Sequence, residues 1–154
     1  MRIVLDTNIL CSALLTLGGS ADRLYRAWRE RVFDLVTSVE QLDEFRRVSR
    51  YRKVRRFIDP SAAGTMHNEL RRLAVLLPDL PIVEVSLDPS DNFLLAMLKA
   101  GQADFLVTGD KHGLLSIGTF EGSRIVTARQ MLTIVGPVRR GTSKSATSKA
   151  KRRN

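Results

Sequence analysis

Residues 1–10 read MRIVLDTNIL. Ile3, Val4 and Leu5 make a continuous apolar run with two β-branched members, the pattern of a short strand buried on both faces. The run delivers Asp6, then Thr7 and Asn8, and apolar residues resume at once. A carboxylate at the end of an apolar strand is costly to desolvate unless something compensates. Thr7 and Asn8 offer hydrogen bonds nearby, yet a turn with no other task rarely needs all three polar residues.

Outward from that strand the pattern alternates. Ser20 is placed to cap a helix to about Arg31, with Leu24, Ala27 and Trp28 on one face. Val32–Val36 predicts a second strand. Ser38, with Gln41 three residues on, fits a capping box for a helix carrying Val39, Leu42, Phe45 and Val48. Asp59-Pro60-Ser61 breaks the chain and caps another helix, to about Leu77, with Met66, Leu70, Leu73 and Leu77 along one side. Pro78 and Pro81 bound a loop, and Ile82–Val85 predicts a strand. Asp88-Pro89-Ser90-Asp91 caps a helix over Asn92–Lys99 that Gly101 ends. Phe105–Val107 and Ile125–Thr127 are further apolar strands, the second followed by a short helix. Apolar strands alternating with helices are expected where helices cover both faces of a sheet. The expected fold is α/β: a three-layer α/β/α sandwich with a mostly parallel central sheet, spanning residues 1–136.

Ligands of such sheets bind beyond the carboxyl ends of the strands. Asp6 ends the first strand, and Asp110 follows FLVTG at 105–109. Asp91 opens a helix after the IVEV segment at 82–85. Glu44 lies about two turns into its helix and borders its apolar face. Four carboxylates from distant segments are thus expected at one rim. Each also has a plain structural role open to it. Asp91 suits an N-cap or first-turn acid, Glu44 an ion pair with Arg46 or Arg47, and Asp110 a Gly-Asp turn.

Taken together they demand compensation. Two carboxylates about 4 Å apart repel by roughly 4 kcal/mol at an effective dielectric near 20. The single cysteine, Cys11, excludes a disulfide framework and a Cys-rich zinc site, and His67 and His112 form no ligand pair. An oxygen-only set suits a hard cation, Mg²⁺ or Mn²⁺, and points to metal-assisted phosphodiester hydrolysis.

IVLDTNIL (3–10), SVEQLDEF (38–45), LDPSDNFLLAMLKAGQADFLVTGDKHGLL (87–115) and RIVTARQML (124–132) together resemble the PIN-domain family. The likeness is greatest to the VapC-like toxin components of bacterial toxin–antitoxin pairs. It covers about residues 2–134, and the 88–111 stretch is its most specific part. The resemblance implies a Mg²⁺- or Mn²⁺-dependent endoribonuclease, an RNA substrate, a cognate antitoxin partner and a homodimer. By position it makes Asp6, Glu44, Asp91 and Asp110 the catalytic and metal-holding acids. It makes Asn8 and Thr108 polar neighbours of the metal, and Asp88 an accessory acid that orients Asp91. Glu40 or Asp43 replaces Glu44 if the helix register is shifted. DKHGLL at 110–115 is longer than the DKDLL form common in that family, which shifts the loop after Asp110.

RRVSRYRKVRR at 46–56 holds Arg46, Arg47, Arg50, Arg52, Lys53, Arg55 and Arg56, with Tyr51 among them. Arginines contact phosphate and an interleaved aromatic stacks on bases, so the strip is expected to guide RNA past Glu44. A solvated helix face paired with nearby acids, or a dock for an acidic antitoxin segment, stays open.

The formal charge is +9. Seven of the 25 basic residues, and none of the 16 acidic ones, fall between Pro137 and Asn154. Residues 137–154 are therefore expected to form a disordered basic tail, serving either as a nucleic-acid arm or as a solubilising extension. No apolar run is long enough to span a membrane and no leader precedes the first strand, so a cytoplasmic protein is expected. Two other function classes compete. One is a non-catalytic RNA-binding module on the same fold, which metal-dependent turnover discriminates. The other is a haloacid-dehalogenase-type phosphatase, which wants a second Asp where this chain has Asn8.

Overall fold

Strands that are apolar on both faces need a layer of helices on each side, and the chain supplies both. The computed structural model describes residues 1–86 and 88–137. In chain order the elements are β1 (Arg2–Leu5), α1 (Thr7–Leu15), α2 (Ser20–Arg29), β2 (Asp34–Ser38), α3 (Val39–Val48), α4 (Arg52–Arg55), α5 (Pro60–Leu73) and β3 (Val75–Leu77). A 3₁₀ turn at Pro89–Asp91 leads into α6 (Asn92–Ala100), β4 (Phe105–Val107), α7 (Leu114–Ile117), β5 (Thr119–Phe120), β6 (Ser123–Val126) and α8 (Ala128–Val135). The six strands form one sheet in the order β3-β2-β1-β4-β6-β5. All pairs are parallel except β5 with β6.

Side chains alternate across each strand, and this splits the interior in two. Ile3, Leu5, Leu35 and Val107 join Leu24, Phe45, Leu70 and Met131 in one core, under α1, α2, α3, α5 and α8. Val4, Val36, Leu106 and Ile125 join Leu94, Leu98 and Leu114 in the other, under α6 and α7. The fold is the expected three-layer α/β/α arrangement. Its strand order reverses between β1 and β4, which puts a crevice beyond their carboxyl ends.

Several local expectations are corrected. Thr7–Leu15, which carries no helix signal beyond its cap, is helical, and Asp6 is that cap. Gly19, not Ser20, caps α2, and the helix ends at Arg29. Within Asp59-Pro60-Ser61 the cap of α5 is Asp59, which accepts the Ser61 N–H. Helix α5 stops at Leu73, which is 52% exposed, and Val75–Leu77 leaves it to pair with β2. Ile82–Val85 forms no strand. Ile82 is 90% exposed, and the Val85 and Ser86 N–H groups donate to Asn92 Oδ1 at 3.2 and 2.9 Å instead of to a neighbouring strand. Thr127 belongs to the next helix, as the N-cap of a full capping box with Gln130. Of the basic segment expected at 137–154, residues 138–154 lie outside the described residues. No described helix is long and apolar enough to cross a membrane.

Candidate active site

Two neighbouring strands bring the first two acids together. The Asp6 N–H donates to the Val107 carbonyl at 2.9 Å, continuing the β1–β4 ladder one residue past β1. Asp6 is 7% exposed. Its Oδ1 accepts the Asn8 N–H at 3.2 Å and its Oδ2 accepts the hydroxyl of Thr108, itself fully buried, at 2.7 Å. Thr108 Oγ1 in turn accepts the Asp110 N–H at 3.2 Å. One buried hydroxyl therefore fixes the strand-end acid of β1 against the loop that follows β4. Burial pushes the Asp6 carboxyl above its usual range. The hydrogen bonds from Thr108 and Asn8 oppose this and the charge of Asp110 adds to it.

Glu44 is set by a different device. Gln41 is almost completely buried. Its Nε2 donates to the Leu5 carbonyl at 2.6 Å and its Oε1 accepts from Thr37 Oγ1 at 2.8 Å. Ser38 Oγ accepts the Gln41 N–H, so only half of the expected capping box forms: the glutamine side chain is spent on β1 instead. This bolts the first turn of α3 to the residue before Asp6. One turn further on, Glu44 Oε2 accepts the Thr7 hydroxyl at 2.5 Å. Among the described residues Glu44 makes no ion pair with Arg46 or Arg47.

Asp91 arrives on the 3₁₀ turn. It occupies the N-cap position of α6, yet its side chain makes no capping hydrogen bond, so the cap role alone does not account for it. Asp88 shapes the turn by accepting from Ser90 N and Ser90 Oγ, at 2.9 and 2.7 Å. It touches Asp91 through the backbone, its carbonyl accepting the Asp91 N–H. Burial first, then the charges of Asp6, Asp88, Asp110 and Glu44, push the Asp91 carboxyl up to about 6.

Asp110 is the exception. Its carboxylate turns to the following loop, where Oδ1 accepts the Gly113 N–H at 3.0 Å and Oδ2 the Leu114 N–H at 3.4 Å. A Cβ on Gly113 would stand 2.0 Å from Oδ2, so this pose requires glycine there.

All four acids, with Asn8 and Asp88, line one open cavity of about 550 Å³ at the β1–β4 crevice. Among the described residues, no three His, Cys, Asp or Glu side chains are placed to grip a metal ion together. Glu44 is held by Thr7 and Asp110 by its own loop. The donor chemistry nonetheless fits a hard divalent cation. It is all oxygen, it collects negative charge in one cavity, and that charge is already felt in the raised Asp91 carboxyl. Two contributors escape a reading of the sequence, Thr7 as the partner of Glu44 and Gln41 as the bolt of α3. Cys11 lies close enough that burial and the charges of Glu44 and Asp6 push its thiol up to about 11, which keeps it inert. Arg46, Arg47, Arg50, Arg52 and Lys53 are exposed, and none of them lines this cavity.

The fold and the crevice define a mostly parallel α/β protein with an acidic site at its topological switch point. The chain matches the PIN domain family over residues 2–112, and it belongs to that family, whose members are commonly metal-dependent nucleases. No curated protein matches the sequence.

Proposed function

We propose that the protein is a Mg²⁺- or Mn²⁺-dependent endoribonuclease and the toxin of a toxin–antitoxin pair, acting as a homodimer held in check by a cognate antitoxin. The observation that carries the catalytic part is the cavity at the β1–β4 crevice, which collects Asp6, Glu44, Asp91 and Asp110 from four separate segments. Asp6, Glu44 and Asp91 would hold the ion, with Asp110 joining once it leaves the Gly113 and Leu114 N–H groups. A bound divalent cation supplies Lewis acidity at a phosphodiester and lowers the pKa of water. The chain's own residues supply placement. Thr108 orients Asp6 by donating to its Oδ2, and Thr7 orients Glu44 by donating to its Oε2. Asn8, exposed at the mouth, presents an amide to substrate. Asp91, whose carboxyl is pushed up by burial and by the neighbouring acids, is the group whose charge a bound cation would relieve most directly.

One observation favours a second reading, a non-catalytic RNA-binding module: Asp110 is occupied as a loop cap. An RNA digest with Mg²⁺ or Mn²⁺, with and without chelator, decides between them. The expected result is cutting that the chelator abolishes. RNA left intact by folded protein at every metal concentration overturns the nuclease in favour of the module.

A further inference from the structure

Two residues along an α-helix turn its direction by about 200°, so Arg46 leaves α3 on nearly the opposite side from Glu44. There, between α3, α4 and α5, lies a second cavity of about 460 Å³, within the range of roughly 300–1,000 Å³ seen for small-molecule sites. It shares no lining residue with the carboxylate cavity. Arg46, Arg50 and Arg55 line it with His67 and Asn68, over an apolar floor that includes Phe45 and Ile58, and no carboxylate faces in. Among the described residues none of the three arginines has an ion-pair partner.

Gly64 stands in the wall of this cavity, inside α5. A glycine within a helix is less favourable than alanine. Packing does not ask for it, because a Cβ at Gly64 would meet nothing within 4 Å. What a side chain there would fill is the cavity.

The ligand follows from the lining. Three guanidinium groups call for an anion, and forked donors suit phosphate. His67 stacks on Phe45, with ring centroids 6.5 Å apart and 17° between planes. Burial, then Arg46 and Arg71, hold its imidazole below the usual range, while Asp43 and the Leu42 backbone pull the other way. At neutral pH it is a flat, uncharged, hydrogen-bonding ring. An acidic peptide would satisfy the arginines and leave that ring and the Asn68 amide unused; a nucleotide uses all of them.

We propose that this cavity binds one nucleotide of single-stranded RNA, its phosphate on Arg46, Arg50 and Arg55 and its base against His67 and Asn68, on the side of α3 away from the acids. It rests on the proposed function only in taking the polymer to be RNA.

The test is binding without metal, so it is independent of whether cleavage is found. Fluorescence anisotropy of a short labelled oligouridylate, in chelator, is compared between wild type and Gly64→Leu. Leucine fills the mouth and has the better helix propensity, so the variant is expected to melt no lower than wild type. Its RNA affinity is expected to fall by about tenfold, the loss of one stacked base. Uridine monophosphate is expected to shift the His67 ring signals in NMR spectra of wild type and not of the variant. Unchanged RNA affinity in a folded Gly64→Leu protein overturns the proposal. So does a His67 response to a glutamate-rich peptide with none to the mononucleotide.

Discussion

The two sides of α3 solve opposite electrostatic problems. On one side Glu44 joins three aspartates in a cavity where burial and the neighbouring charges push the Asp91 carboxyl up. On the other, three arginines without ion-pair partners among the described residues line a cavity beside a histidine that burial, then Arg46 and Arg71, hold below its usual range. A ten-residue helix thus separates the proposed cation site from the proposed nucleotide site. The acidic side is also the more tightly constructed. Buried hydroxyls and an amide fix its carboxylates to the ends of β1 and β4, whereas the arginines hang from helix ends and a short connecting turn. Chemistry needs fixed geometry, and capture of a flexible polymer tolerates loose ends.

The sharpest way to break this contrast is Asp6→Asn. The amide is nearly isosteric, and its oxygen can still accept the Asn8 N–H. Removing one charge also relieves the repulsion on Asp91. Cleavage is expected to fall by about 100-fold or more while the melting temperature holds or rises and metal-free RNA binding is unchanged. Wild-type cleavage by the folded variant ends the assignment of this cavity.

Gln41→Leu attacks the bolt rather than the charge. It leaves the Leu5 carbonyl and the Thr37 hydroxyl buried without their partner, at a cost of about 1–3 kcal/mol for each group. Denaturant unfolding is expected to show a loss of that order. Metal-dependent activity should drop further than stability alone explains, because Glu44 rides one turn further along the same helix. Equal losses in RNA binding and in cleavage would show that α3 moves as a whole and that its two sides are not independent.

The two sides should also titrate in opposite senses. The folded protein holds the Asp91 proton more tightly than the unfolded chain does, so this group's contribution to stability is lost as pH rises from about 4 to above 6. His67 is held below its ordinary value, so its contribution is present at neutral pH and lost as pH falls through 6.5 and below. Melting temperatures measured without metal from pH 4 to 8 should therefore change slope in opposite directions in Asp91→Asn and His67→Gln. Divalent cation added at pH 7.5 should raise the wild-type melting temperature by binding the folded state. A shift of the same sign in both variants removes the electrostatic basis of the contrast.

How much of this was legible in the sequence depends on range. Asp6 could be found because a charged residue at the end of Ile3–Leu5 has no cheap local explanation. Phe105–Val107 could be found because a wholly apolar triplet before Thr-Gly-Asp has few other uses. The turn at Asp88–Asp91 announces itself through Asp-Pro-Ser-Asp. Helix α1 stayed hidden because Ile9, Leu10, Cys11 and Ala13 are all buried, which leaves no polar face to mark the helical period. Leu70, Leu73 and Leu77 keep a helical spacing, yet pairing of Val75–Leu77 with β2 wins over it. Ile82–Val85 has strand composition and finds no strand to pair with. The arginine cavity was illegible for a simpler reason: Arg46, Arg55 and His67 meet only once α4 and α5 have folded back on α3.

The smallest effect discriminates most finely. In Gly113→Ala the new Cβ would stand 2.0 Å from Asp110 Oδ2, so the carboxylate must leave the Gly113 and Leu114 N–H groups. Asp110 is a short side chain on an open loop and can turn, so the expected loss is that of one cap, about 1 kcal/mol, visible as a drop of a few degrees in melting temperature. If Asp110 is a loop cap and nothing more, that drop is the whole result. If it belongs to the cation site, its release also shifts the midpoint of a Mn²⁺ titration by severalfold, because a carboxylate tied to two backbone donors has become free to face the ion. We expect both changes. A lower melting temperature with an unmoved midpoint would leave the cavity with three working acids, Asp6, Glu44 and Asp91, and would assign Asp110 to the architecture of its own loop.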